Sequence, residues 1–213
     1  CLSDWSSDVC SSDLAKVVMC GRRAEKIQQA AEEINDRGGC AIAVQADVSS
    51  SEQVDALIRQ TIDRFKRIDI LVNNAAIFIP NAAFETTPDL WLYHLNNNAT
   101  SVLLTMRACI PFMRRQNYGR IINITSGFSQ NGAYGYAAYG ASKAAMETLT
   151  RSAAVEESEN GILINLFDPG AIKTEMHATG DHPQTVTPHL LKLASLSPEN
   201  GFFGKKVTAD SLS

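Results

Sequence analysis

The chain has 213 residues, 45% of them apolar and 20% charged, which suits one globular domain with a sizeable core. A net charge of −4 leaves no basic footprint for nucleic acid. No apolar run is long enough to cross a bilayer, and nothing at the N-terminus has the basic and apolar blocks of a signal peptide.

Residues 14–20 (LAKVVMC) read as a strand. Arg22 to Arg37 reads as an amphipathic helix with Ile27, Ala30, Ala31 and Ile34 on one face, ended by Gly38-Gly39. Cys40 to Ala46 is a second strand. Ser49-Ser50-Ser51 caps a helix to about Lys66, with Val54, Leu57, Ile58, Ile62 and Phe65 inward. Ile68 to Asn73 is a buried strand, and one long helix is expected from about Asp89 to Gln116. Gly119 to Thr125 is the next strand. Tyr136 to Ser158 is a long helix with Ala141, Ala144, Ala145, Leu149 and Ala153 available for close packing. Gly161 to Phe167 is a further strand. Pro188 to Ser195 suggests a short helix and Phe202 to Val207 a last strand. This alternation, without repeats, predicts an α/β fold with a parallel, doubly wound sheet.

The five cysteines (Cys1, Cys10, Cys20, Cys40, Cys109) match neither a zinc site nor a disulfide framework. Cys20, Cys40 and Cys109 read as buried small hydrophobes, and a reducing cytoplasm is the expected location. His177, His182 and His189 share no helix face, so no metal is expected, and a substrate lid suits that region better.

The densest chemistry lies in residues 126–143. Ser126 follows the apolar run Ile121-Ile122-Asn123-Ile124-Thr125, and Tyr139 and Lys143 are spaced to share a helix face. A nearby ammonium lowers a phenol's pKa, and a hydroxyl from a strand end can bind the same substrate oxygen. This equipment moves a proton at a carbonyl or alcohol oxygen. Tyr-x-x-x-Lys alone is a weak signal. It is joined by Asp69-Ile70-Leu71-Val72-Asn73-Asn74-Ala75-Ala76 upstream and by Asp168-Pro169-Gly170-Ala171-Ile172-Lys173-Thr174 downstream. Together these segments resemble the short-chain dehydrogenase/reductase family, from about Ala15 to Thr174 and more loosely to the C-terminus.

The resemblance implies a Rossmann-type fold and hydride transfer between a nicotinamide cofactor and a carbonyl or alcohol substrate. It implies that Ser126 polarises the substrate oxygen and that Tyr139 is the general acid or base. Lys143 would lower the Tyr139 pKa and bind the nicotinamide ribose. Among Asn96, Asn97 and Asn98, the spacing from Trp91 and to Val102 selects Asn98, which would kink the long helix and hold a water linking Lys143 to solvent. Arg22 stands where NAD-preferring relatives carry an acid, so NADP is favoured over NAD; a solvated helix-start arginine is the alternative. Asp47 and Val48 would hold the adenine, with a helix-capping Asp47 as the alternative. Asn73 would bind backbone and stabilise the sheet, and Asn74 and Ala75 would line the adenosine ribose. Pro169, Gly170, Ile172 and Thr174 would cradle the nicotinamide half. The substrate stays open among sugar, steroid, acyl thioester and small ketone compounds. A homodimer through the two long helices is expected, and a catalytically silent nucleotide-binding or scaffolding relative is the functional alternative.

The start of the chain departs from this pattern. Residues 4–14 (DWSSDVCSSDL) resemble the translation of a common short-read sequencing adapter; a natural disordered tail is the alternative. Residues 1–14 are therefore expected to be a non-native or disordered leader, and 15–213 a truncated NAD(P)-binding domain. Relatives place a first strand and a turn of the type Thr-Gly-x-x-x-Gly-Ile-Gly ahead of the strand near Leu14. That strand lies centrally in the order 3-2-1-4-5-6. Its loss would leave buried ladder edges unpaired, so the literal chain is expected to fold poorly and turn over little substrate.

Overall fold

Strands and helices alternate from Lys16 to Thr208 in a computed structural model that describes residues 15–173, 179–200, 203–209 and 211. The leader 1–14, Thr174 and His177 lie outside the described residues. In chain order the elements are β1 (Lys16–Gly21), α1 (Ala24–Asp36), β2 (Cys40–Gln45), α2 (Ser51–Phe65), β3 (Ile70–Asn73) and α3 (Pro88–Leu95). They continue with α4 (Ser101–Gln116), β4 (Gly119–Ile124), α5 (Ala137–Glu157), β5 (Ile162–Asp168), α6 (Thr187–Ala194) and β6 (Lys206–Thr208).

Every strand pairing is parallel. β1 pairs with β2, and the second sheet runs β3-β4-β5-β6. Helices cover both faces, as a Rossmann-type doubly wound fold requires. One apolar cluster joins Cys20, Val44, Leu57, Met106, Ile121 and Ile164, and so spans both sheets through α2 and α4. A second packs Ile122, Ile124, Phe167 and Val207 against Leu190 and Leu193 of α6. A third holds α1 on β1 through Val17, Met19, Ile27 and Ile34. β4 feeds the first two clusters from alternate residues, which explains its near-continuous apolar sequence. The expected strand order puts a further strand between β1 and β3. Among the described residues, β1 and β3 each end a sheet.

Three differences from the sequence expectations have physical causes. The long helix expected over 89–116 is interrupted by a π-helical turn at Asn96–Thr100. Its i→i+5 geometry inserts an extra residue, a frequent feature of functional sites. Of the five residues expected to pack α5, Ala153 alone is buried. Ala145 is exposed and Ala141, Ala144 and Leu149 are half-buried, whereas Ser142, Lys143, Met146, Glu147 and Thr150 face inward. The inward polar groups are tolerated because they are partnered: Ser142 Oγ donates to the Tyr139 carbonyl (2.6 Å) and Thr150 Oγ1 to that of Met146 (2.8 Å). Asn73 bonds side chains rather than backbone. It donates to Asn123 Oδ1 (2.8 Å) across the β3–β4 register and accepts from Thr105 Oγ1 (2.8 Å). Asn123 in turn donates to Thr150 Oγ1 (2.8 Å), tying the sheet to α4 and α5.

Candidate active site

In a parallel α/β sheet, ligands bind beyond the carboxyl ends of the strands. Here those ends converge on a cavity of about 1550 Å³. Gly21 and Arg22 follow β1, Asp47 and Val48 follow β2, Asn74 and Ala75 follow β3, Ser126 follows β4, and Pro169, Gly170 and Ile172 follow β5; all line it, with Tyr139 and Lys143 of α5. Such a volume exceeds an ordinary small-ligand pocket and suits a dinucleotide with a small substrate beside it.

Ser126 is placed by the fully buried β4, which runs outward through Thr125. Its backbone is extended, and its Oγ accepts the Phe128 N–H (3.4 Å). Tyr139 sits in the first turn of α5 with Lys143 one turn on. Phe78, Tyr136 and Phe128 form a stacked column beside them, with Tyr136 centred 4.4 Å from Phe78 and 4.0 Å from Phe128. Tyr139 meets Phe78 and Tyr136 edge-on. These three aromatics carried no sequence signal of their own, because a single ring in a loop reads as generic core.

The expected lowering of the Tyr139 pKa by Lys143 is not what this structure shows. Burial pushes the phenol up, hydrogen bonding to Ser126 opposes that, and Asp168 and Tyr136 add to the rise. Lys143 Nζ lies 5.9 Å from the Tyr139 ring centre and donates to the Ile124 carbonyl (2.8 Å). Its own pKa is pulled down to about 8 by burial, with Asp168 and Glu147 holding it up. At neutral pH it remains a cation under the phenol ring.

The asparagine run resolves by burial. Asn96 has local contact with Thr100, and Asn97 Nδ2 donates to the Tyr93 carbonyl one turn back. Asn98, 1% exposed, reaches across the fold. It accepts the Ile77 N–H (2.7 Å) and donates to the Ile77 carbonyl (3.0 Å) and to Ser142 Oγ (2.9 Å). The π-turn rotates it into this position, as the expected kink would. His94, fully buried, adds a second anchor: its Nε2 accepts the Ile79 N–H (3.2 Å) and its Nδ1 faces the Leu90 carbonyl (3.0 Å). The loop 77–79 is thus fastened to α3 and the π-turn from both ends.

At the far end of the cavity Arg22 is exposed and Nη1 donates to Tyr93 Oη (3.3 Å); this bond, against the cost of burial, raises its pKa. Arg23 and Lys26 line the same end and were not singled out in the sequence. Asp47 bonds the turn after β2 rather than capping α2. It lines the cavity while its Oδ1 accepts the Ser49 N–H (2.9 Å) and hydroxyl (2.7 Å). Burial works to raise its pKa, and those bonds with the Arg22 charge bring it below the ordinary value. The cap of α2 itself is Ser50. Gly170 turns the chain after β5 with φ +72°, and its N–H reaches Asp168 Oδ1 (3.1 Å).

The short chain dehydrogenase family model matches residues 6–184. The chain belongs to the short chain dehydrogenase family. Among its relatives, the 3-oxoacyl-[acyl-carrier-protein] reductase of Synechocystis is 42% identical over 68% of this chain and 58% of its own length. The (2S)-[(R)-hydroxy(phenyl)methyl]succinyl-CoA dehydrogenase subunit of Thauera aromatica is 36% identical over 76% of this chain and 65% of its own. The chain therefore spans 58–65% of these curated relatives. Among solved structures, a short chain dehydrogenase from Mycobacterium smegmatis superposes with a TM-score of 0.85 at 30% identity, covering 97% of this chain and 87% of that one. A gluconate 5-dehydrogenase from Burkholderia cenocepacia, in complex with NADP and tartrate, gives 0.87 at 26%, covering 97% and 88%. The short chain dehydrogenase fold thus accounts for the parallel sheet and for the convergence of the motifs at its carboxyl edge.

Proposed function

We propose that this short chain dehydrogenase is an NADP-dependent oxidoreductase acting on a carbonyl or alcohol substrate. The observation that carries the reading is that Ser126, Tyr139 and Lys143 line one part of a cavity whose other end carries Arg22, Asp47 and Val48. The cofactor fit rests on the same lining. Arg22, with Arg23 and Lys26 at the start of α1, supplies cations for a 2′-phosphate. Asp47 and Val48 would hold the adenine, Asn74 and Ala75 the adenosine ribose, and Pro169, Gly170, Ile172 and Thr174 the nicotinamide half. NADPH, when bound, supplies the hydride.

Ser126 Oγ would donate to the substrate oxygen and stabilise the negative charge that develops there. Tyr139 Oη would give that oxygen its proton in reduction and take it back in oxidation. Its raised pKa favours the protonated, acid form at neutral pH. Lys143 would hold the nicotinamide ribose and stabilise the tyrosinate left behind. Asn98 would act through Ile77 and Ser142, holding the cavity wall on α5. The aromatic column of Phe78, Tyr136 and Phe128 excludes water from the reacting oxygen. A homodimer through α4 and α5 is supported by the exposed or half-buried Leu103, Ala141, Ala145 and Leu149. Free cysteines Cys20, Cys40 and Cys109 favour a cytoplasmic location.

Tyr139→Phe tests the reading, with NADPH oxidation followed across a carbonyl panel. Turnover should fall by about 10²- to 10⁴-fold while NADPH binding is kept. Undiminished turnover overturns the mechanism.

A further inference from the structure

Behind Ser126, at the edge of the cavity, two carboxylates meet one ammonium. Glu147 lies one turn past Lys143 on α5 and is 1% exposed. Asp168 ends β5 and lines the cavity. Lys206 opens β6 in register with Leu166 of β5. Lysines at the start of a short strand ordinarily keep the ammonium in water. Here the Lys206 side chain is 18% exposed, and Nζ lies 3.1 Å from Glu147 Oε1 and 3.2 Å from Asp168 Oδ2. It also donates to the Ser126 carbonyl and to Ser129 Oγ, each at 3.2 Å. An ammonium has three N–H groups, so four acceptors share them.

We propose that Lys206 is a positioning residue: its ammonium holds the Ser126 carbonyl, and with it the serine hydroxyl, while neutralising Glu147 and Asp168 behind the site. This role rests on the Ser126–Tyr139–Lys143 reading above. Two routes connect Lys206 to the chemistry. The first is mechanical. The loop 126–129 is held by Lys206 at both Ser126 and Ser129, and the single Ser129 O–H lies within reach of Glu147 Oε1 (2.5 Å) and the Ser126 carbonyl (2.8 Å). A displacement of about 1 Å at a catalytic group costs up to about 10²-fold in rate. The second is electrostatic. Tyr139 faces Lys143 on its own helix, Tyr136 just before that helix, Asp168 from β5, and Ser126 from the loop after β4. Lys206 offsets the Asp168 charge from β6. Glu147 has other partners, Thr125 Oγ1 (2.7 Å) and Arg151 Nη1 (3.2 Å), whereas Asp168 makes its ion pair with Lys206, and Lys143 adds its charge without a bridge.

The test compares Lys206→Met, Lys206→Arg, the exposed neighbour Lys205→Met, and the double variant Asp168→Asn/Lys206→Met in the full chain. Three quantities are read: kcat and KM with NADPH and a carbonyl substrate, the pH profile, and the ultraviolet titration of the Tyr139 phenol as the difference from Tyr139→Phe. Lys206→Met should lower kcat by about 10- to 100-fold with KM for NADPH unchanged. Its pH profile and its Tyr139 titration should move to higher pH, because an uncompensated carboxylate opposes phenolate. Lys206→Arg should recover part of the rate, and Lys205→Met should match the parent. The double variant should bring the titration back towards the parent while kcat stays low, because the Ser126 carbonyl still lacks its donor. If Lys206→Met melts without cooperativity, the double variant replaces it, with low kcat as the deciding readout. Parental kcat and parental titration in Lys206→Met overturn the proposal. If the parent chain itself turns over no carbonyl, the functional reading fails instead, and the phenol titration still decides the role of Lys206.

Discussion

Replacing Asn98 by leucine should damage both stability and the site. The side chains have similar volumes, so the change leaves no large cavity. It strips the Ile77 N–H and carbonyl of their partners, at 2.7 and 3.0 Å, and leaves Ser142 Oγ without the Nδ2 donor. Ile77 is 9% exposed, so water cannot readily replace those bonds. Each buried backbone group left without a partner costs about 1–3 kcal/mol. Two such groups give about 2–6 kcal/mol, a large part of a domain's stability of about 5–15 kcal/mol. For a chain of this size 1 kcal/mol corresponds to about 2–4 °C in Tm, so a drop of at least 4 °C or so is expected. Asn97→Ala is the matched control. It removes a single local bond to Tyr93 and should cost about 0.5–1.5 kcal/mol. Thermal melts by circular dichroism give the stability change, and kcat with NADPH binding gives the functional one. The Asn98 variant should lose rate beyond its loss of folded protein, because Ile77 lines the cavity. An Asn98→Leu protein that melts with the parent and keeps its kcat would refute the reasoning.

Arg114 pairs with the buried Glu157 through Nε (2.8 Å) and Nη2, joining the ends of α4 and α5. The Arg114 bond, against burial, holds the Glu157 pKa below its ordinary 4.5, so this stability is present above that value and is lost as pH falls through the folded-state value. Because the Arg114 side chain is 53% exposed, Arg114→Met should lower stability only slightly at neutral pH and flatten the acid limb of the stability curve; an unchanged acid limb in urea melts counts against the pair. Arg22→Ala should weaken NADPH binding by about 10- to 100-fold and leave NADH binding nearly unchanged, measured by cofactor fluorescence titration; equal losses for both would remove Arg22 from the 2′-phosphate. Burial pushes the Cys109 thiol up to about 12, so among Cys20, Cys40 and Cys109 a thiol reagent should label the half-buried Cys40 first in the native protein, as read by peptide mass spectrometry.

Much of this protein is written in local sequence. The apolar runs of β4 and β5 and the 3.6-residue stripe of α1 set strand against helix, because each must bury one face or both. The spacing of Tyr139 and Lys143, one helical turn apart after a strand ending in Ser126, marked the chemistry before any coordinate did. The apolar-rich signal that misled was one where tertiary contacts overrule local pattern. Ala141, Ala144 and Ala145 of α5 read as core, yet Ser142, Glu147 and Thr150 take the inward side because the π-turn, β4 and the serine loop offer them partners there. Asn98 could be chosen from its neighbours by family spacing, but only the π-turn explains why its amide, and not that of Asn97, faces Ile77. The order of the phenol and ammonium pKa values was likewise invisible, since burial and the Asp168 charge are properties of the assembled site. Lys206 gave no sign at all: it lies 63 residues beyond Lys143 in the sequence, and only the pairing of β6 with β5 brings its charge behind Ser126. Sequence thus determined which elements form and which residues are the candidates for the chemistry, while the parallel sheet decided their neighbours, because pairing joins residues that no local pattern relates.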